Sequence, residues 1–373
     1  MRIGTAGGAT LEAADEPATG GAGGTVSRAA GAPASVAADM AGVPAGAATG
    51  ATADPPANAA TRPPIGSANA GRLAAGTSWY EASARQRLAG LVDTGTFSEF
   101  VGPRERMTSP HLPLFELPGQ FDDGMIVGRA RLAGQPMLVA AQEGRFMGGA
   151  FGEVHGAKLT GLLRAARDVR QPVVILFDTG GVRLQEANAG EIAVSEIIRA
   201  MLDARAVGVS VVGLVGGRAG CYGGGGIIAA CCSALAVSEA GRIGVSGPEV
   251  IESRHGVDEF DSRDRALVWR TMGGKHRRLS GGAERFVDDT IDAFRHAAIE
   301  LVAQTSAVAF DIATLEAEHA RLAKRIERFR GCHDALDMWH ALGASDAASI
   351  PALDYPAFTA LADRLSEVSD GAR

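Results

Sequence analysis

Short unbroken apolar runs alternate with stretches of helical period through the middle of this chain. Val173 to Phe177 and Val209 to Val215 read as buried strands, as do Leu235 to Ser238 and a short segment at Ile243 to Val245. Between the first two, residues near Glu191 to Ala204 place Ile192, Ile197, Ile198, Met201 and Leu202 in one helical stripe. Strands alternating with helices predict an α/β core with parallel pairing through right-handed crossovers. Upstream, Ser78 to Asp93 reads as a helix with Ser78 as N-cap and Leu88, Leu91 and Val92 on its apolar side. Met125 to Leu132 and Met137 to Ala141, separated by Ala133-Gly134-Gln135-Pro136, read as a hairpin, and a helix is expected from Val154 to Val169. Downstream the pattern becomes charged and amphipathic, with helices expected over Ala283 to Val308, Ile312 to Arg330 and Tyr355 to Val368.

Two of the predicted strands break into glycine turns that open helices. Asp178-Thr179-Gly180-Gly181-Val182-Arg183-Leu184-Gln185-Glu186 follows the first, and Gly220-Cys221-Tyr222-Gly223-Gly224-Gly225-Gly226 follows the second. Glycine lets the backbone adopt positive φ and approach a ligand closely. The first N–H groups of a helix have no partner within it and sit at its positive end. Two such elbows at the carboxyl ends of neighbouring strands, where open α/β sheets bind ligands, can aim donors at a developing oxyanion. The same glycines could instead serve only tight turns and close packing.

Composition narrows the rest. Residues 1–77 are rich in Ala, Gly, Pro and Thr, have no Phe, Trp or Tyr and no apolar periodicity, and are expected to be a disordered tail ahead of a folded domain over 78–373. Neither a secretory h-region nor an Arg-rich transit peptide stands out there. No run approaches the ~18 apolar residues of a membrane helix. The net charge of −7 gives no reason to expect nucleic acid. Cys221, Cys231, Cys232 and Cys332 form no C-x-x-C pair, so neither a disulfide framework nor a metal site is expected, and a reducing cytoplasm fits.

The elbows resemble the carboxyltransferase branch of the crotonase superfamily. Asp178 to Glu186 is similar to its D-S-G-G-A-R-x-Q-E motif, departing at Thr179 and Val182; Ile243 to Glu252 is similar to I-G-x-x-G-P-x-V-I-E; Gly148 to Lys158 matches G-G-x-x-G-x-x-x-G-A-K. From about Ser78 to Phe358, including Val268-Trp269-Arg270-Thr271-Met272-Gly273-Gly274-Lys275-His276-Arg277, the chain resembles the β subunits of biotin-independent malonate decarboxylases. The zinc ribbon of acetyl-CoA carboxylase β subunits and a Met-Lys-Met biotin segment are both absent from the sequence.

The resemblance implies a crotonase-like fold of ββα units with flanking helices. It implies a carbon–carbon lyase subunit that decarboxylates a malonyl thioester carried on the phosphopantetheine arm of an acyl carrier protein, through an enolate, with no cofactor of its own. A second crotonase-like subunit (γ) would complete the site. The N–H groups around Gly180, Gly181 and Val182, with those of Gly223 and Gly224, are the expected oxyanion donors. His155, Tyr222 and His255 are candidate proton donors, each with an ordinary structural alternative. Lys275 and Arg277, in a basic run of an acidic protein, could meet the phosphate of the arm or the carrier protein, or simply be a solvated charge run. Two other functions stay open: a carboxyltransferase subunit of a biotin-dependent enzyme, and a non-catalytic scaffold subunit.

Overall fold

The computed structural model describes residues 76–305 and 310–370, with side chains to 365. The expected tail therefore lies, but for its last two positions, outside the described residues. In chain order the elements are α1 (Ala84–Leu91), β1 (Ser98–Glu99), β2 (Met125–Leu132), β3 (Gln135–Gln142), α2 (Glu153–Val169), β4 (Val173–Phe177), α3 (Asn188–Ala206), β5 (Val211–Val215), β6 (Cys221–Tyr222), α4 (Gly224–Ala230), β7 (Ala234–Ser238) and β8 (Ile243–Gly244). There follow α5 (Pro248–His255), α6 (Arg265–Met272), α7 (Gly274–Leu279), β9 (Arg285–Val287), α8 (Ile291–Thr305), α9 (Ile312–Arg328), α10 (Ala335–Ala341) and α11 (Tyr355–Asp370).

One sheet of seven strands runs in the order β1-β2-β3-β4-β5-β7-β9, antiparallel from β1 to β3 and parallel from β3 onward. β6 and β8 form a separate short parallel pair. The apolar runs at β4 and β5 are unbroken because both faces of the sheet are covered. Val173, Ile175 and Phe177 face one core with α2 and α3, while Val174 and Leu176 face a second core with α1 and α8. α2 and α3 approach closely because Gly156 carries no Cβ; one added there would come 2.3 Å from Ala193 Cβ.

Three expectations are corrected. The first helix begins at Ala84, since Ser83 and Gln86 close a reciprocal capping box, whereas the Ser78 hydroxyl donates to Asp289. The hairpin loop is two residues, Ala133 and Gly134, both at positive φ (50° and 81°), the backbone of a type I′ turn. Gln135 and Pro136 belong to β3, and Pro136 is tolerated because pairing with β4 starts only at Leu138. The segment expected to be helical from Ala283 contains β9, which pairs with β7, and its helix starts at Ile291.

Candidate functional site

The two elbows are joined backbone to backbone. Thr179 N–H donates to Gly220 O (2.8 Å), and Tyr222 N–H donates to Thr179 O (3.0 Å). Beyond that bridge both chains turn at glycines with positive φ, Gly181 at 129° and Gly223 at 57°. A Cβ on Gly223 would stand 3.3 Å from Gly181 Cα, and the positive φ of both residues favours glycine on each side of this approach.

Asp178 holds the elbows in that register. Its Oδ2 accepts Arg87 Nη1 (2.7 Å), its Oδ1 accepts Ala219 N–H (2.7 Å), and its own N–H donates to Gln142 Oε1 (3.2 Å). The carboxylate fills a slot between Gly144 and Gly217, where a Cβ would come within 2.5 Å and 2.1 Å of its Cγ. Both side chains of the ion pair are almost fully buried, at 2% and 4% exposure.

A second buried network fixes the exit from the first elbow. Arg183 Nη1 donates to Asp123 Oδ2 (2.7 Å) and Glu186 Oε1 (3.0 Å), and its Nη2 donates to Asp123 O (2.8 Å). Glu186 Oε2 accepts Glu153 N–H at the start of α2 (2.6 Å). Burial pushes the Glu186 carboxyl up, and the hydrogen bonds from Glu153 N–H and Arg183 outweigh it, leaving the group below the usual carboxylate range. Burial dominates at Asp123 and raises it despite Arg183.

The Gly148 segment interlocks with the same motif. A Cβ on Gly149 would fall 1.8 Å from Asp178 O, and one on Gly152 2.5 Å from Glu186 Oε2. Phe151 pairs with Val182 as a parallel bridge. Lys158 Nζ donates to Asp122 O (2.9 Å) and to Met125 O, so this lysine anchors the start of β2.

These contacts decide which expected donors are available. Gly180 N–H donates to Gly148 O (2.8 Å), and Gly181 N–H to Thr179 Oγ1 (3.1 Å); both are committed inside the protein. Among the described residues, the N–H groups of Val182, Gly224 and Gly225 donate to no protein acceptor. The last two are at the first turn of α4, where helix geometry leaves them unpaired. The N–H groups of Gly223 and Gly226 likewise donate to no protein acceptor among the described residues, so Gly223 offers both its conformation and a donor.

The candidate proton donors separate. His155 is 0% exposed and packs edge-on against Phe151 with ring centroids 5.1 Å apart. Burial, then Arg183 and Lys158, push its pKa well below the usual histidine value, so it is neutral and sealed from any opening. Tyr222 lies inside the second elbow, its ring against Gly220 and Gly244 and its hydroxyl buried without a partner. Burial raises its pKa, so the hydroxyl keeps its proton at neutral pH. His255 is exposed at the end of α5.

The basic run also divides. Lys275 Nζ donates to Glu239 Oε1 (2.9 Å), Pro351 O (2.9 Å) and Leu353 O (2.6 Å), which makes it a buried strut beneath the C-terminal segment rather than a surface cation. Arg277 is half-buried, its Nε is buried without an acceptor, and burial lowers its pKa. Arg87 and Gly217, which the sequence reading passed over, prove to be essential to the geometry. Arg87 sits beside Leu88 and Leu91 on a helix that buries one side, and a charge at such a position signals a buried partner.

Segments leaving the elbows carry uncovered apolar side chains: Leu184 is 87% and Val245 71% exposed, with Ile192, Ile227 and Val250 also exposed. Among the described residues no group of three or more His, Cys, Asp or Glu could hold a metal ion. No described helix is long and apolar enough to cross a membrane.

The carboxyl transferase domain family matches residues 81–302. The malonyl-S-ACP:biotin-protein carboxyltransferase MADC of Malonomonas rubra is 39% identical over 308 residues, covering 77% of this chain and 96% of that protein. Among solved structures, a Pseudomonas malonate decarboxylase hetero-tetramer in complex with malonate superposes with a TM-score of 0.65 at 36% identity, over 71% of this chain and 97% of that one. The Pseudomonas MdcD-MdcE hetero-dimer gives 0.54 at 35% identity, over 66% and 96%. The expected crotonase-like architecture is thereby borne out, together with the malonate decarboxylase resemblance. Interlocked motifs, paired elbows and these relatives together make the chain a member of the carboxyl transferase domain family, in its malonate decarboxylase-related branch.

Proposed function

We propose that this chain supplies the enolate-stabilising wall of a malonyl-thioester decarboxylating site. The observation that carries the reading is the contact between two glycine elbows beside which the N–H groups of Val182, Gly224 and Gly225 remain uncommitted. In the reaction, the bond between C2 and the carboxyl carbon breaks and CO2 leaves. Its electron pair passes into the enolate, with charge on the thioester oxygen, and a proton then adds at C2 to give the acetyl thioester. Donors fixed before the charge develops lower that barrier, each contributing about 2.7–4 kcal/mol.

Gly180 and Gly181 act as scaffold in this scheme, with Val182 and Gly224 as donors and Gly223 both as a donor and as the residue that turns α4 toward them. The His155 ring and the Tyr222 hydroxyl are both buried, so the proton at C2 is assigned to water or to a group of a second subunit. Arg277 is retained as a site for the phosphate of a phosphopantetheine arm, because its guanidinium lacks an acceptor. Lys275 is withdrawn from that role. The exposed apolar side chains around the elbows suit a second subunit of the same fold closing the cavity, with an acyl carrier protein delivering the substrate.

A second reading is favoured by the biotin-protein carboxyltransferase among the relatives. The same enolate forms, but the CO2 passes to biotin on another protein. Avidin separates the two: decarboxylation abolished by avidin selects carboxyl transfer, and unaffected turnover selects direct protonation. The donor assignment is tested in the assembled complex with Gly224→Pro against Gly224→Ala. Proline is tolerated at the first helical position and removes the N–H, while alanine keeps the N–H and controls for the Cβ, which in either variant comes within 2.6 Å of Val194 Cγ2. Turnover about 10²–10³-fold lower in the proline variant is expected; equal rates would sink the assignment.

A further inference from the structure

The inner side of α9 and the end of α7 bring three arginines to one glycine turn. Arg321 Nη1 and Arg325 Nη1 each lie 3.7 Å from the point where a Gly281 Cβ would stand. Arg277, one turn earlier on α7, passes with its Cδ 3.5 Å from the corresponding point at Gly282. Gly281 takes a φ of 69°, and the N–H groups of the two glycines donate to Arg278 O (3.2 Å) and Arg277 O (2.7 Å). The turn therefore offers space rather than donors, and Gly281 is exposed, so that space is open to solvent.

Little of this charge is neutralised inside the protein. Arg321 Nε and Nη2 donate to the two oxygens of Glu318 (2.7 Å and 2.6 Å), which leaves Nη1 for the turn. Among the described residues, the guanidinium groups of Arg277 and Arg325 have neither a hydrogen-bond acceptor nor a carboxylate within ion-pair distance, and Arg277 Nε is buried. Glu284, the other acid nearby, accepts Leu235 N–H (2.6 Å). Burial, and then Arg321, push Arg325 below the usual arginine value; burial and Arg325 do the same to Arg277 against the opposing pull of Tyr222. Like charges held together in half-buried positions are unfavourable until an anion joins them.

We propose that Arg277, Arg321 and Arg325 form a binding site at the Gly281-Gly282 turn for the phosphate group of a phosphorylated ligand. A carboxylate has two oxygens and occupies one guanidinium fork, as Glu318 does on Arg321. A phosphate carries more oxygens and more charge, and can serve several arginines at once. The proposal deepens, and rests on, the reading of Arg277 as a phosphate contact, while the elbows play no part in it. Two sources can present the group: the prosthetic arm of a carrier protein, and the phosphates of a free coenzyme A thioester.

The test is titration calorimetry of the full chain with three probes: inorganic phosphate, coenzyme A and phosphopantetheine-loaded acyl carrier protein. Arg325→Met is expected to weaken binding by at least about tenfold, the equivalent of ~1.4 kcal/mol. Arg325→Lys, which keeps the charge and loses the fork, should fall between that variant and wild type. Melting curves control for folding. Without ligand, Arg325→Met should melt no lower than wild type, because it relieves repulsion, and phosphate should raise the midpoint of wild type alone. Weaker binding of the loaded carrier identifies the arm as the source, and weaker binding of coenzyme A identifies the free thioester; either supports the site. A wild type that binds none of the three probes, or an Arg325→Met variant that binds them all as tightly, overturns it. Binding is read without turnover, so such a failure leaves the decarboxylation reading standing, and a failure of that reading leaves the site standing.

Discussion

Replacing Asp178 with Asn removes one charge from a buried ion pair and nearly nothing else. Arg87 Nη1 lies 2.7 Å from the carboxylate, and the two side chains are 2% and 4% exposed, so water cannot substitute for the lost partner. Removing one member of such a pair costs about 3–5 kcal/mol, because the other is left charged and dry. Against a typical total of ~5–15 kcal/mol this is a large fraction. Asn retains an oxygen for Ala219 N–H, whereas Asp178→Ala orphans that group as well and should cost roughly 1–3 kcal/mol more. Arg87→Met combined with Asp178→Asn removes both charges and should recover most of the loss, giving a coupling well outside additivity. Urea denaturation followed by circular dichroism measures all four variants. An Asp178→Asn protein within about 1 kcal/mol of wild type, or a double variant no more stable than the worse single one, would refute the view that this pair clamps the elbows.

Lys275→Met should lower stability by roughly 2–4 kcal/mol, since two backbone carbonyls lose a charged donor, while turnover per folded molecule is unchanged. A selective rise in KM for carrier-bound substrate would instead return Lys275 to the binding surface. Stability should also fall as pH drops from about 6.5 toward 5. Burial, reinforced by Arg277 and Arg325, lowers His276 to about 3, so the unfolded chain takes up a proton that the native state refuses, and the native state loses up to ~1.4 kcal/mol per pH unit in that window. His155 is shifted the same way and adds to the slope. Denaturation midpoints at pH 7, 6 and 5 for wild type and His276→Gln check this, and parallel curves for the two would contradict it.

Much of the fold is legible in the chain because β4 and β5 are covered on both faces, which leaves unbroken apolar runs, and because glycine turns stand out where they end. β9 was not legible. Arg285-Phe286-Val287 is too short for a period to register, and only its pairing with β7, some fifty residues earlier, makes it a strand. The sequence shows which segments carry the glycine turns but not which of their amides are hydrogen-bonded inside the protein. Whether Gly180 N–H is available depends on Gly148 O arriving from another element, which no local pattern records. Lys275 misled for a similar reason: its acceptors Pro351 and Leu353 are supplied by a distant stretch, and a basic run gives no sign of them.

The interlocking of Asp178, Arg183 and Glu186 with Gly144, Gly149, Gly152 and Gly217 bears on how such a chain can change its chemistry. The most recognisable letters of the elbow motif form a hidden chassis that is intolerant of even one added carbon. Exposed positions on the segments leaving the elbows, such as Leu184 and Val245, are under no comparable constraint. A change of reaction or substrate can therefore be written into those positions alone, and a library that varies them while freezing the chassis should yield folded proteins with altered specificity.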